Sequence, residues 1–301
     1  MKVVIFGSSG FVGKNLTRSL QKDFEIQELS VRENRWETKI DQETEVFINL
    51  IGKAHDNKKK ASEEDYYFSN IKLAQDIFEV FINSTASLLI YISSVAAIQE
   101  FSAEKPLTEN DDCFPVSPYG KTKRTAEEWL QSQTVPGYKK VIILRPPMIH
   151  GPGDKGNLGL LYKIISTGLP YPLAAFKNER SFIGIENFNF YIAKIIENRH
   201  LLHSGIYHIS DNEPLSTTAI VKVIKEVLEV KNSEIAVPKF LINGVATIGD
   251  FLPLPLNTKR LQKMTSSLVI SNHKINQLLR MTKLPFTAEE GLRKTIKSFR
   301  K

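Results

Sequence analysis

The sequence has a single cysteine, two tryptophans and no apolar run that approaches the ~20 residues needed to cross a bilayer. Cys113 has no partner for an internal disulfide and no metal-ligand spacing around it. The N-terminus enters a strand-like run at once, without the charged and apolar regions of a secretion signal. We therefore expect a cytoplasmic protein with no membrane insertion and no metal site.

The charge balance is basic, with a formal net charge of +7 over 301 residues. The basic residues are scattered or lie at the C-terminal end, and they are not interleaved with aromatic residues as in nucleic-acid-binding proteins. A solvated surface or an anionic small substrate explains the charge, so we expect no nucleic-acid partner. The length fits one large α/β domain or a nucleotide domain with a smaller companion.

Strand-like and helix-like segments alternate along the first half. Strands are predicted at 3–6, 24–31, 46–51, 88–92 and 141–144, and helices at 14–20, 66–83 and 119–131. Parallel strands need such helical crossovers. The predicted fold is therefore α/β, a doubly wound parallel sheet of the Rossmann type with a smaller C-terminal substrate-binding lobe, and its ligands should sit beyond the carboxyl ends of the strands.

The pattern changes after Pro147, where several glycines interrupt it. We predict a dinucleotide-binding domain at 1–150 and a mainly substrate-binding lobe at 151–301, with later elements returning to the first sheet. Further helices are predicted near 160–165, at 188–197, from 216 onward and at 288–299, with one more strand at 206–209.

A Gly-rich turn, Gly7-Ser8-Ser9-Gly10-Phe11-Val12-Gly13, lies between the first predicted strand and helix. In such a turn the first glycine permits the tight bend, the second permits close approach of a pyrophosphate, and the third permits tight helix packing. Free N–H groups and the helix dipole then face the phosphates. The alternative is a plain turn with packing glycines. We predict a dinucleotide site formed by Gly7, Gly10, Phe11, Val12 and Gly13.

A tyrosine and a lysine, Tyr119 and Lys123, stand four residues apart at a predicted helix start and so project from one face. A phenol is a poor acid or base near neutrality, and a nearby ammonium favours the phenolate. The pair can therefore exchange a proton with a hydroxyl or ketone while a hydride moves. The alternative is an ordinary exposed helix start. Ser93 and Ser94 end the fourth predicted strand and face the same crevice.

The three-residue spacing between the glycines, taken with the tyrosine–lysine motif, resembles the extended branch of the short-chain dehydrogenase/reductase superfamily, the nucleotide-sugar epimerases and dehydratases. The resemblance implies that Tyr119 and Lys123 are catalytic and also contact the cofactor, with Ser94 chosen over Ser93 as the third catalytic residue, which also binds substrate. It implies further cofactor contacts at Leu50, Ile51, Gly52, Asn70 and Pro146. It also implies substrate contacts at Asn157 and Arg180.

The choice between NAD and NADP depends on the residues at the end of the second predicted strand, Leu29-Ser30-Val31-Arg32. An acidic residue here holds the ribose of NAD, whereas an arginine accepts the 2′-phosphate of NADP. Arg32 favours NADP, while Glu28 or Glu33 would serve NAD, so NAD and NADP both stay open.

The pair of residues that directly follows Ser94 argues against a dehydratase. The resembling enzymes that dehydrate nucleotide sugars carry an Asp-Glu pair there, and this chain has Val95-Ala96. The expected function is NAD(P)-dependent redox chemistry at C4 of a nucleotide-linked sugar, as a UDP-hexose-like 4-epimerase. The alternatives are an NADPH-dependent 4-ketoreductase of a nucleotide 4-keto-6-deoxy sugar and a non-catalytic dinucleotide-binding regulator. The resemblance also implies a homodimer.

Overall fold

The centre of the fold is a parallel sheet of six strands. The computed structural model of the chain describes residues 1–54, 61–154, 156–168, 176–230, 237–252 and 257–300. The strands of the sheet are β1 Lys2–Phe6, β2 Glu25–Leu29, β3 Thr44–Asn49, β4 Leu88–Ile92, β5 Lys140–Arg145 and β8 Gly205–His208, in the order β2-β1-β3-β4-β5-β8. Two short strands, β6 Met148–His150 and β7 Phe182–Gly184, form a separate parallel pair. The predicted doubly wound α/β class is confirmed.

Helices connect these strands and cover the sheet. They are α1 Phe11–Leu20, α2 Glu63–Tyr67, α3 Leu73–Asn83, α4 Pro118–Ser132, α5 Asn157–Ser166, α6 Ile185–Glu197, α7 Thr217–Leu228, α8 Lys239–Phe251, α9 Thr258–Thr265, α10 His273–Leu278 and α11 Ala288–Lys297. Several helix starts are set by a hydroxyl residue whose side chain accepts a hydrogen bond from a backbone N–H of the first turn. Ser62, Ser117, Ser216 and Thr287 do this for α2, α4, α7 and α11.

The sheet separates two apolar cores. All five residues of β4 are buried, because helices cover both faces of a parallel sheet. On one face α1 and α6 contribute Leu16 and Phe188, and on the other α3 and α4 contribute Phe81 and Ala126. A third core joins α5, α7, α8, α9 and α11 in the C-terminal lobe.

The structure differs from the sequence prediction in several elements. The helix predicted at 66–83 begins at Glu63 and is interrupted by a π-helical turn at Phe68–Lys72. The strands β6 and β7 and the helices α8 to α10 were not predicted. From the second half of the chain, β8 pairs in parallel with β5 at the sheet edge. No helix within the described ranges combines the length and apolar character that a membrane span requires.

Candidate active site

The candidate site lies at the carboxyl edge of the sheet, where β1 has β2 on one side and β3 on the other. In doubly wound sheets this reversal of strand order opens a crevice for ligands. The loops that follow β1, β3, β4 and β5, together with the first turn of α1, carry most of the predicted site residues to this edge. The loop ends are tied together, since the backbone N–H of Leu50 donates to the carbonyl of Phe6 at 3.0 Å.

The Gly-rich turn after β1 is closely packed against the loop after β3 and against α1. Gly7 has a φ of +86°, which an L side chain rarely adopts, and a Cβ there would meet the Ile51 backbone nitrogen at 3.3 Å. A Cβ on Gly13 would lie 2.3 Å from the Gly7 carbonyl oxygen, so only glycine lets α1 approach the turn. The first turn of α1 has no acidic residue and no capping side chain at Gly10, which leaves its N–H groups available to an anion. Phe11 and Val12 are half-buried beside it.

Arg32 lies on the exposed loop after β2. Its backbone N–H donates to the Ser30 hydroxyl at 3.4 Å, and within the described ranges its guanidinium has no hydrogen bond or ion pair. Glu33 instead pairs with Lys39 at 2.6 Å, and Glu28 is an exposed residue of β2. Of the side chains considered for the ribose end, Glu33 is therefore paired, whereas within the described ranges Arg32 and Glu28 both carry an uncommitted charge.

Lys123 is buried beneath the crevice and joins two strand ends. Its Nζ donates to the carbonyls of Ile51 at 3.2 Å and Ile92 at 2.8 Å, and to the Tyr91 hydroxyl at 3.3 Å. A Cβ on Gly52 would lie 2.9 Å from the same Nζ, so the lysine packs directly against the backbone of this glycine. Burial lowers the pKa of Lys123 from 10.5 to about 7, and the carboxylate of Glu127 works against that shift.

Tyr119 is the second residue of α4 and lies beside Ser94. Ser94 follows β4 and caps a short 3₁₀ turn by accepting from the Ala96 N–H at 3.2 Å. Burial raises the pKa of Tyr119, and a hydrogen bond with the Ser94 side chain works in the opposite direction. The hydroxyls of Ser94 and Tyr119 are thus within hydrogen-bonding distance of each other, and one substrate oxygen could contact both.

The neighbouring Ser93 points elsewhere. Its side chain is buried and its hydroxyl donates to Glu127 at 2.5 Å. Glu127 is fully buried and accepts two further hydrogen bonds from Arg145, at 2.8 Å from Nε and 2.6 Å from Nη2. The hydroxyl of Ser93 is therefore committed to a buried ion pair, while that of Ser94 is beside Tyr119.

The Glu127–Arg145 pair was missed by the sequence interpretation. A signal was present, because Glu127 follows Lys123 by four residues and so shares its helix face. Arg145 begins the Arg-Pro-Pro segment at the end of β5. The next residue, Pro146, is buried, and its carbonyl accepts from the Val95 N–H at 3.0 Å.

Asn70 lies in the π-helical turn and is fully buried. Its side-chain oxygen accepts from the Lys53 N–H at 2.8 Å, and its amide donates to the Thr122 hydroxyl at 2.9 Å. Asn70 therefore links the loop after β3 to α4, next to Lys123.

The two predicted substrate-binding residues other than Ser94 are Asn157 and Arg180, and both lie in the C-terminal half. The guanidinium of Arg180 donates to the carbonyls of Phe101 at 3.0 Å and Ser266 at 3.2 Å, and to the carbonyl of Glu100 at 3.4 Å. Burial lowers the pKa of Arg180 to about 10. Asn157 is the first residue of α5, and its side chain lies outside the described part of the structure.

Comparison with known proteins identifies the family. Residues 3–210 match the NAD dependent epimerase/dehydratase family. The chain belongs to this family. It is therefore an enzyme with an NAD(P)-binding Rossmann fold, and the resemblance drawn from the glycine and tyrosine motifs is confirmed.

Individual relatives are more distant. The UDP-glucose 4-epimerase of Vibrio cholerae is 25% identical over 99% of this chain and 95% of its own length. The UDP-glucuronic acid 4-epimerase of Bacillus cereus, solved with NAD, superposes with a TM-score of 0.73 at 16% identity over 100% of this chain and 99% of that one. The dTDP-4-dehydrorhamnose reductase of Bacillus anthracis, solved with NADP, gives 0.73 at 17% over 98% and 96%. At these identities the two solved structures show the fold alone.

Proposed function

We propose that the protein is a nucleotide-sugar 4-epimerase acting on a UDP-hexose-like substrate. The observation that carries the proposal is the grouping of Ser94, Tyr119 and Lys123 beside the Gly-rich turn. Elimination of water would need an acid and a base after Ser94, and this chain has Val95-Ala96 there. We therefore propose epimerisation and not dehydration. The Vibrio cholerae relative, a UDP-glucose 4-epimerase, supports the choice of sugar.

The residues suggest how the proton would move. Ser94 and Tyr119 would both hydrogen-bond the C4 oxygen of the sugar, and Tyr119 as phenolate would take its proton. The ammonium of Lys123, held at the strand ends, would favour that phenolate and hold the nicotinamide ribose. A bound nicotinamide supplies the acceptor and donor for the hydride of C4. Tyr119 would return the proton once the hydride has come back to the other face.

The remaining contacts follow the same proposal. Gly7, Gly10 and Gly13 would hold the cofactor diphosphate, with Leu50, Ile51 and Gly52 against its adenosine side. Asn70 and Pro146 would lie near the nicotinamide end. Arg180 and Asn157 would bind the diphosphate or nucleoside of the substrate. A homodimer and a cytoplasmic location stay predictions.

The second candidate is an NADPH-dependent 4-ketoreductase of a nucleotide 4-keto-6-deoxy sugar. Two observations favour it. The guanidinium of Arg32 is uncommitted and could pair with a 2′-phosphate through two hydrogen bonds. Burial also raises the pKa of Tyr119, which favours the neutral phenol, the form that donates a proton to a ketone.

The proposed chemistry is tested by Tyr119→Phe, which removes only the phenolic oxygen. We expect C4 epimerisation of UDP-glucose, followed by NMR, to fall by about 10²–10⁴-fold because the proton-transfer group is lost. Binding of the dinucleotide should persist. Tyr138→Phe, at an exposed tyrosine, is the matched control and should keep full activity. A Tyr119→Phe variant that retains turnover would contradict the assignment.

The choice between the two candidates is tested by the dinucleotide that the purified protein carries. An epimerase returns its hydride within one turnover, so we expect denaturation to release about one equivalent of NAD per chain, identified by mass. A protein that is purified empty and binds NADPH more tightly than NADH would instead identify the ketoreductase.

A further inference from the structure

The carboxylate of Glu100 lies at the start of the helix that carries Tyr119. Glu100 belongs to the loop between β4 and α4, and it is only 9% exposed. Its Oε1 accepts hydrogen bonds from the backbone N–H groups of Ser117 at 2.7 Å and Val116 at 3.2 Å. Hydrogen bonds from backbone N–H groups to a carboxylate at a helix start are strong, because the acceptor is charged. Glu100 therefore fixes the two residues that precede α4.

The same carboxylate supplies a negative group that the first turn of α4 lacks. That turn contains no acidic residue of its own, although the N-terminal end of a helix carries a partial positive charge. Ser117 caps the helix by accepting from the Gly120 N–H at 3.1 Å. A Cβ on Gly120 would lie 2.7 Å from Oε1 of Glu100, so the carboxylate lies against the residue that follows Tyr119.

The backbone of Glu100 is also held in place. The guanidinium of Arg180 donates to the carbonyls of Phe101 at 3.0 Å and Glu100 at 3.4 Å. The hydroxyl of Ser266 donates to the carbonyl of Phe101 at 2.6 Å. These contacts join the loop to the C-terminal lobe, so hydrogen bonds on both sides of the loop fix the carboxylate relative to α4.

Two carboxylates act on the phenol of Tyr119, and they differ in their partners. Burial is the largest cause of the raised pKa of Tyr119, and the carboxylates of Glu100 and Glu127 raise it further. Glu127 is paired with Arg145 at 2.6 Å. In the described part of the chain, the Glu100 carboxylate is bonded to N–H groups of the backbone and forms no ion pair. The charge of Glu100 is therefore the one that no cation neutralises.

The other titratable groups around the start of α4 do not cancel this charge. Lys123 donates to the Tyr91 hydroxyl, and Arg180 contacts the backbone of the Glu100 loop and not its carboxylate. On the elements packed against α4, Lys53–Asp65 and Lys72–Asp76 form ion pairs, and Glu63, Glu64, Tyr66, Tyr67 and Glu79 are partly or fully exposed.

We propose that Glu100 is a positioning residue for Tyr119, which fixes the backbone ahead of α4 and holds an unpaired negative charge at the helix start that carries the phenol. The inference rests on the proposed role of Tyr119 as the proton-transfer group. A negative charge at this place disfavours the phenolate, because like charges repel. Together with burial, Glu100 therefore raises the pKa of Tyr119.

The variant Glu100→Gln tests the proposal, because glutamine keeps an acceptor oxygen for the two N–H groups and removes the charge. We expect the pKa of Tyr119, followed by NMR of ring-labelled tyrosine and assigned with Tyr119→Phe, to fall by about 0.5–1 pH unit. Turnover of UDP-glucose on the acid side of its pH profile should rise about 3–10-fold, since more phenolate is present there. Turnover at the pH optimum should change little.

The matched control is Glu104→Gln, which removes one charge from an exposed residue of the same loop. It should leave the pKa of Tyr119 and the pH profile as in the wild type. The proposal is overturned if Glu100→Gln titrates as the wild type does, or if Glu104→Gln gives an equal shift. It is also overturned if Glu100→Gln does not fold, since the carboxylate would then be a requirement of folding. A wild type without epimerase activity would contradict the proposed function, while the NMR titration would still decide the role of Glu100.

Discussion

The carboxyl edge of the sheet and the surface of the C-terminal lobe differ in which side chains they bury and which they expose to water. At the sheet edge the polar groups of Ser93, Glu127 and Arg145 are buried and bonded to one another. On the lobe, α8 leaves large apolar side chains in water. Burying a charge costs much folding free energy unless the charge is paired. Leaving single apolar side chains in water costs little by comparison. The first region thus has a fixed geometry, whereas the second keeps large apolar side chains exposed.

Helix α4 shows how the fixed geometry is obtained. Tyr119, Lys123 and Glu127 recur every four residues, so all three face the sheet edge. Glu127 anchors the helix to β5 through Arg145. Lys123 donates to the carbonyl of Ile51, two residues after β3, and to that of Ile92 at the end of β4. The tyrosine at the helix start is positioned by residues one and two turns further along.

The largest expected effect comes from breaking the buried pair. Glu127→Ala leaves the Arg145 guanidinium buried without its carboxylate, and loss of one partner of a buried pair typically costs about 3–5 kcal/mol of unfolding free energy. The adjacent Glu128→Ala is the matched control, since Glu128 is 56% exposed and pairs with Arg124 at the surface. That change should cost about 0–1 kcal/mol. Urea denaturation of the two variants measures the difference.

A Glu127→Ala variant that fails to fold would still leave the comparison testable. In the double variant Glu127→Met, Arg145→Met no charge remains unpaired, so it should recover most of the lost stability. Glu127→Ala and Glu128→Ala variants of equal stability would contradict the view that the sheet edge depends on this pair.

The sequence predicts the sheet edge well because local signals agree there. The strand predicted at 88–92 coincides with β4, since a fully buried parallel strand is a continuous apolar run. The Gly-rich turn follows the end of β1, and Tyr119 and Lys123 lie in the first turns of α4, each where the sequence pattern predicts it. What local pattern could not supply was the direction of adjacent side chains. The choice of Ser94 over Ser93 came from the resemblance, and the structure adds that the Ser93 hydroxyl is hydrogen-bonded to Glu127.

The lobe was harder to predict for a physical reason. Strands β6 and β7 have three residues each, too few for a period to be recognised, and they pair across a long separation in sequence. Helix α8 is apolar on two sides, so its sequence lacks the single stripe that indicates a surface helix. The π-helical turn at Phe68–Lys72 likewise has no sequence signal beyond that of an ordinary helix.

A smaller effect tests whether Lys123 is as desolvated as its neighbours indicate. Its pKa is about 7 in the folded chain and 10.5 when exposed, so between these values the unfolded state binds the extra proton. The free energy of unfolding of the cofactor-free protein should therefore rise with pH above 7, by at most about 1.4 kcal/mol per pH unit from this group. The free energy of unfolding of the Lys123→Met variant, measured at pH 7 and pH 9, should lack this part of the rise. Burial also lowers the pKa of Lys139, but Lys139 contributes equally to wild type and variant. Parallel pH profiles for wild type and variant would mean that Lys123 keeps its proton at neutral pH despite its burial, held there by the carbonyls of Ile51 and Ile92 and the charge of Glu127.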